Sequence, residues 1–170
     1  MTKMKDVDKV FSKFKSGVYV VTTVIDGTKY GWTISWVSKI SFKPALVMIS
    51  IGKNRKEHEK FIESEVFAVN VLGDKHIEIG RHFGLSSGEN VNKFDDIDFI
   101  ELKTGSPILK DSVGAVDCKI IKSVDAGDHI IFVGEVLDAI NNDGDGAAFS
   151  NNIFPWFLRN IYILVNKLFI

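Results

Sequence analysis

A single cysteine, Cys118, stands in the whole chain, which rules out an internal disulfide and a thiolate metal cluster. It lies in an apolar-alternating run, Gly114 to Ile121, where a small buried hydrophobe is expected rather than a reactive thiol. Neither sign of charge is in excess, with 21 basic residues against 22 acidic ones and a formal net charge of -1. Nucleic acid is therefore not expected as a partner, because phosphates call for a basic face; a local basic pocket remains compatible. Long uninterrupted apolar runs are lacking too. Ile153 to Ile170 is the most apolar stretch, but Pro155, Arg159, Asn160, Asn166 and Lys167 interrupt it. A spanning helix needs about 20 mostly apolar residues, so a segment that contacts another subunit and buries Trp156, Phe157 and Leu164 is expected instead. The opening residues, MTKMKDVDKV, are polar and charged and do not read as a secretory leader; the cytoplasm is the expected compartment.

Several motifs are missing. No glycine-rich GxGxxG turn follows the first strand, and no repeating βαβ pattern appears, which argues against a doubly wound dinucleotide domain. His58, His76 and His82 show no metal-ligand spacing, so no metal is expected. Asn141 to Gly146 (NNDGDG) imitates the start of a calcium loop, but Asn152 stands where its twelfth-position glutamate belongs; a turn is expected. Tandem repeats and low-complexity linkers are absent, and 170 residues fit one domain spanning 1–170.

What is present reads mainly as short strands. Residues 4 to 16 space Val7, Val10, Phe11 and Phe14 as an amphipathic helix. Val18 to Ile25, the Asp26-Gly27 turn and Tyr30 to Trp36 predict a hairpin. Phe42-Lys43-Pro44 is a turn, since proline cannot serve inside a central strand. Leu46 to Ile51, Val66 to Leu72, Phe94 to Leu102, Val113 to Val124 and His129 to Ile140 are further predicted strands. Asn54 to Ser64 and Asp74 to Phe83 have helical character, and Gly84 to Lys93 is a polar, turn-rich surface loop. Many short strands with few short helices predict a mainly β fold, a barrel or sandwich.

Three constellations carry candidate chemistry. In Tyr30 to Phe42, period-two alternation sends Trp32, Ile34 and Trp36 to one face and Thr33, Ser35 and Val37 to the other, with Ser38 following. That pattern suits a solvated hydroxyl face, or equally a flat heteroaromatic ligand that needs apolar contact together with hydroxyl and amide donors. Ser50-Ile51-Gly52-Lys53-Asn54-Arg55 lies at a strand-to-helix junction. It reads either as a solvated basic loop or as a holder for an anionic tail, with free amides beside two cations; it is not a P-loop. Asp125-Ala126-Gly127-Asp128-His129 is a turn that delivers a histidine beside an acidic neighbour, where it is either merely exposed or able to meet a cofactor or substrate.

Taken in order, SGVYVVTT (Ser16 to Thr23), YGWTISWVSKIS (Tyr30 to Ser41), PALVMISIGKNRKEHE (Pro44 to Glu59), FAVNVLG (Phe67 to Gly73), GRHFG (Gly80 to Gly84), TGSPIL (Thr104 to Leu109) and AGDHIIFVGEVLDA (Ala126 to Ala139) resemble the flavin reductase-like family of FMN-binding split-barrel proteins. The resemblance is strongest over residues 10 to 140, and 141–170 is an atypical tail. It implies a Greek-key split barrel, a homodimer, and FMN near the subunit interface. Carried over by motif, Thr33, Ser35, Trp36 and Val37 line the flavin ring with Ser38 nearby, and Phe83 packs close to it. Ser50, Lys53 and Arg55 hold the phosphate end, Gly52 permits close approach, and His58 assists. His129 stands where NADH or NADPH approaches, as the catalytic candidate.

The implied activity is an NAD(P)H:flavin oxidoreductase that passes electrons to a small molecule or a protein acceptor. The alternative is a flavoredoxin-like electron carrier that serves rubredoxin- or ferredoxin-type partners with no direct NAD(P)H reaction. The absence of a nucleophile and of an acid–base pair agrees with either, because the flavin carries the chemistry. Tyr30 and Trp32 are bulkier than the residues usual at these places and are expected to narrow the pocket.

Overall fold

A computed structural model describes residues 4–54, 58–85 and 92–147. Arg55, the centre of the predicted Gly84–Lys93 loop and the apolar tail lie outside the described residues, as does the side chain of His58. Among the described residues, three α-helices, α1 (Met4–Phe11), α2 (His58–Glu63) and α3 (Ile77–Leu85), accompany nine strands. The strands are β1 (Tyr19–Ile25), β2 (Thr28–Ile34), β3 (Val37–Phe42), β4 (Ala45–Gly52), β5 (Val66–Val71), β6 (Phe99–Glu101), β7 (Pro107–Leu109), β8 (Gly114–Ala126) and β9 (His129–Asn141). Seven strands form one antiparallel sheet in the order β2-β1-β5-β8-β9-β4-β3, while β6 and β7 pair separately.

The order of the strands dictates the shape. β2 and β3 lie at opposite edges of the sheet, yet only Ser35 and Trp36 separate them in the chain. Three peptide steps span at most about 11 Å, so the sheet must curl until its edges nearly meet. The two edges form no ladder with each other, which leaves the barrel split at this point. Non-sequential neighbours (β1–β5, β5–β8 and β9–β4) supply the expected Greek-key order.

Local chemistry explains the elements. Asp26 and Gly27 both have positive φ (48° and 78°), as a two-residue hairpin turn with the twist of its strands requires. β8 and β9, each 13 residues long, form a hairpin that serves both halves of the barrel. The first half of β8 pairs with β5, and the first half of β9 pairs with β4. Val21, Trp32, Ile34, Ile49, Ile51, Phe67, Val69 and Phe132 fill the interior. A second apolar layer, including Val18, Val20, Leu72 and Phe83, packs α3 on the outside of β1 and β2. Asn70, fully buried, ties β7 to this wall: its amide donates to the Val20 carbonyl (3.1 Å) and its oxygen accepts from Leu109 N–H (2.8 Å).

Several elements depart from the sequence expectation. The first helix stops at Phe11 rather than Ser16, and the Phe94–Leu102 segment is a strand only over Phe99–Glu101. The alternation predicted through Trp36 breaks at Ser35, because the chain leaves one edge of the sheet there and restarts at the other. Trp32 and Ile34 point inward as expected, but Trp36 is 53% exposed and Val37 packs against the interior. Trp32 is 3% exposed and its ring meets Phe61 edge-on, so it fills the barrel rather than a surface pocket; Tyr30, half-buried, stacks on it. Cys118 is fully buried, and burial together with the charge of Asp117 pushes its thiol pKa up to about 12.

Phe67 crosses the interior to lie on Gly134, where a Cβ would sit 2.5 Å from the ring. Gly134→Ala is therefore expected to destabilise by about 1–3 kcal/mol through overpacking. Adding Phe67→Leu should recover part of that loss in urea unfolding, and strictly additive losses would contradict the contact.

Candidate functional site

β4 determines which side chains face outward at the split. Val47, Ile49 and Ile51 belong to the core, so Met48, Ser50 and Gly52 take the outer face. β9 follows suit. Ile130 and Phe132 pack inward opposite Ile51 and Ile49, which turns His129 outward opposite Gly52. Trp36, at the crossing between edges, closes this patch: its carbonyl accepts the Ser50 N–H (3.0 Å) and its ring lies 4.5 Å from the His129 ring. Ser38 is exposed, opposite Met48 in the register, with its hydroxyl on the Lys39 carbonyl (3.2 Å). Ser35 is half-buried at the crossing itself.

The turn between β8 and β9 is tied to the end of β4 by two contacts. Lys53 N–H donates to the Asp128 carbonyl (2.9 Å), and the Lys53 ammonium meets the Asp125 carboxylate at 2.6 Å. Asp125 also accepts from Gly127 N–H (3.2 Å), which orients it within the turn. The hydrogen bond and charge of Lys53 hold the Asp125 carboxyl below its ordinary range. His129 Nδ1 lies 2.7 Å from the Asp128 carboxylate, and that hydrogen bond likewise lowers the Asp128 pKa. Gly52 lies close beside them: a Cβ there would sit 2.8 Å from Asn54 Oδ1, the end of an exposed side chain, and 3.5 Å from His129 Nε2.

Of the residues singled out from the sequence, the fold thus gathers Trp36, Ser50, Gly52, Lys53 and His129 at one end of the β4–β9 ladder, with Ser38 on the same face. The side chains of three others go elsewhere. Thr33 is fully buried and donates its hydroxyl to the Gly80 carbonyl of α3 (2.6 Å). Phe83 is fully buried in the layer beneath α3, and Val37 packs into the barrel. Asp125 was not foreseen as the partner of Lys53. Both charges are visible in the sequence, but 72 residues separate them and only the β4–β9 register joins them.

An ionised carboxylate can only accept, so Asp128 requires a proton on His129 Nδ1 and leaves Nε2 as the acceptor of the neutral ring. Ring ¹⁵N spectra of the neutral imidazole should show Nδ1 protonated and Nε2 bare, with Asp128→Ala returning a mixture of tautomers. A bare Nδ1 in the unaltered protein would contradict the contact.

Comparison with known proteins shows the family. Residues 11–157 match the model of the flavin reductase like domain. The FMN reductase (NADH) SmoA of Agrobacterium fabrum is 34% identical over 146 residues, covering 86% of this chain and 82% of the relative. The reductase subunit HsaB of a flavin-dependent monooxygenase from Rhodococcus jostii is 32% identical over 127 residues, 75% of this chain and 64% of the relative. Among solved structures, the NADH:FAD oxidoreductase SgcE6 of Streptomyces globisporus superposes with a TM-score of 0.80 at 33% identity, covering 88% of this chain and 92% of the other. The same oxidoreductase has also been solved in complex with NAD and FAD fragments. With most of its length matched and its barrel shared, the chain belongs to the flavin reductase-like family.

Proposed function

We propose that this protein is an NAD(P)H-dependent flavin reductase that binds FMN on the outer face of β3, β4 and β9. The observation that carries the reading is the convergence of Lys53, Gly52 and His129 at one end of the β4–β9 ladder, in a chain whose relatives are named as NADH-dependent flavin reductases. The residues suit such a ligand chemically. Lys53 offers an ammonium to a phosphate and Ser50 offers a hydroxyl, with Arg55 following in the chain. Gly52, with no side chain of its own, leaves the backbone beside His129 open to close approach by a ligand. The exposed edge of Ser35 to Ser38 brings amide and hydroxyl donors to the rim of a flat ring, and Trp36 adds apolar surface. Thr33 and Phe83 act from behind this edge by anchoring α3 to β2.

When bound, the flavin supplies the redox chemistry, taking a hydride from NADH or NADPH and passing electrons on. The protein's contribution is positional. Asp128 fixes the His129 ring from one side and Trp36 packs on it from the other, so Nε2 is held ready to orient the reductant. The acceptor is a partner enzyme that uses reduced flavin, in keeping with relatives named as reductase components of monooxygenases. We read residues 1–170 as one domain.

A homodimer fits the exposed apolar side chains, Ile40 and Phe42 on edge strand β3 and Ile121 and Val124 on the overhanging end of β8, which need covering. A reducing cytoplasm suits the lone buried thiol. No helix among the described residues is long and apolar enough to cross a membrane.

Anaerobic stopped-flow mixing of the FMN-loaded protein with NADH or NADPH tests the reading. Rapid bleaching of the flavin's visible band is expected. His129→Ala, compared at saturating FMN, should slow it on the order of tenfold to a hundredfold. Bleaching only by a reduced protein donor would replace the reductase with an electron carrier, and an unchanged rate in His129→Ala would remove that residue from reductant positioning.

A further inference from the structure

We infer that Asp125 is a built-in competitor for the phosphate end of the flavin, lowering the affinity for phosphorylated flavins through Lys53 and so favouring their release. The inference rests on the reading above that Lys53 holds that phosphate. The ammonium a phosphate would engage is already in a 2.6 Å ion pair with Asp125. Both partners of that pair are tethered at the turn: Lys53 N–H is bonded to the Asp128 carbonyl, and the second carboxylate oxygen of Asp125 accepts Gly127 N–H. The lysine's long methylene stem can still adjust when an anion arrives.

Lysine has three donors and could in principle touch both anions at once. A phosphate in hydrogen-bond contact with Nζ, however, would then lie close to the Asp125 carboxylate, and their repulsion opposes that arrangement. Either the pair opens or the two anions crowd each other, and both routes weaken the phosphate's hold. The hydrogen bond and charge of Lys53 hold the Asp125 carboxyl below its ordinary range, so the competing group is an anion at neutral pH. Asp125 is 73% exposed and its lysine 35%, which keeps the effect modest, as for other exposed ion pairs. A reductase that hands reduced flavin to a separate enzyme needs such release. A carboxylate two hydrogen bonds from the flavin's tail provides it without altering contacts to the ring.

The experiment is a double-mutant cycle read by binding. FMN and riboflavin are titrated into the unaltered protein, Asp125→Asn, Lys53→Ala and the double variant, and each dissociation constant is measured by flavin fluorescence. Asp125→Asn is expected to tighten FMN about two- to fivefold, the range of an exposed ion pair, and to slow its dissociation, with riboflavin unchanged. In the Lys53→Ala background the same substitution should do nothing. Tightening that persists without Lys53 would overturn the proposal, since Asp125 would then act as a bare charge. Weakening of FMN in Asp125→Asn would also overturn it, by making Asp125 a support for Lys53. Lys53→Ala that weakens FMN and riboflavin alike would remove the phosphate reading itself, and the proposal with it.

Discussion

The pairing of β4 with the first half of β9 is the constraint on which the rest of the molecule depends. Its register runs from Leu46 opposite Glu135 to Gly52 opposite His129. Side chains in a ladder alternate with a period of two, so a slip of one residue would turn every one of them over. Here the slip is blocked from within, because Ile49, Ile51 and Phe132 are almost wholly buried in the barrel and Ile130 packs against them. The same alternation that buries these four places Ser50, Gly52 and His129 on the outside. The core therefore specifies the site, and the surface residues need no apolar contact of their own to be positioned.

The split in the barrel follows from the same economy of chain. Two residues carry the backbone from one edge of the sheet to the other, so Ser35 and Trp36 fall beside the end of β4 and an exposed backbone edge is brought next to Lys53 and His129. On the proposed reading, the groups for a flat ring and those for its anionic tail stand on adjacent strands of a single sheet. The polar contacts at this end also form a connected series. Trp36 touches His129, His129 bonds Asp128, and the turn that carries Asp128 is fastened to Lys53 by backbone and side chain. Lys53 and His129, the groups proposed to meet the phosphate and the reductant, are thus held to one hairpin turn.

Much of the barrel was legible because its strands are β-branched runs closed by turn chemistry, as in VYVVTTVI followed by Asp26-Gly27. β3 was not separable from β2, since no proline or glycine marks Ser35 and Trp36, where the chain bends from one edge of the sheet to the other. β7 has three residues, and its place depends on the buried amide of Asn70 rather than on any pattern of its own. At the site, residue types were legible and juxtaposition was not. The motif around Lys53 and the turn before His129 each announced suitable chemistry, while the ion pair with Asp125 arises only from the ladder. Thr33 shows the converse. A hydroxyl in an aromatic strand suggests a ligand, but α3 packs over that face and the Gly80 carbonyl accepts its hydrogen bond.

On the proposed reading the flavin binds the outer face at the β4–β9 end, and amide chemical-shift mapping during FMN titration checks this residue by residue. The largest shifts are expected on Trp36, Ser50 to Asn54, and Asp128 and His129. Largest shifts on α3 and the β6–β7 pair, with the Lys53 turn unmoved, would contradict it.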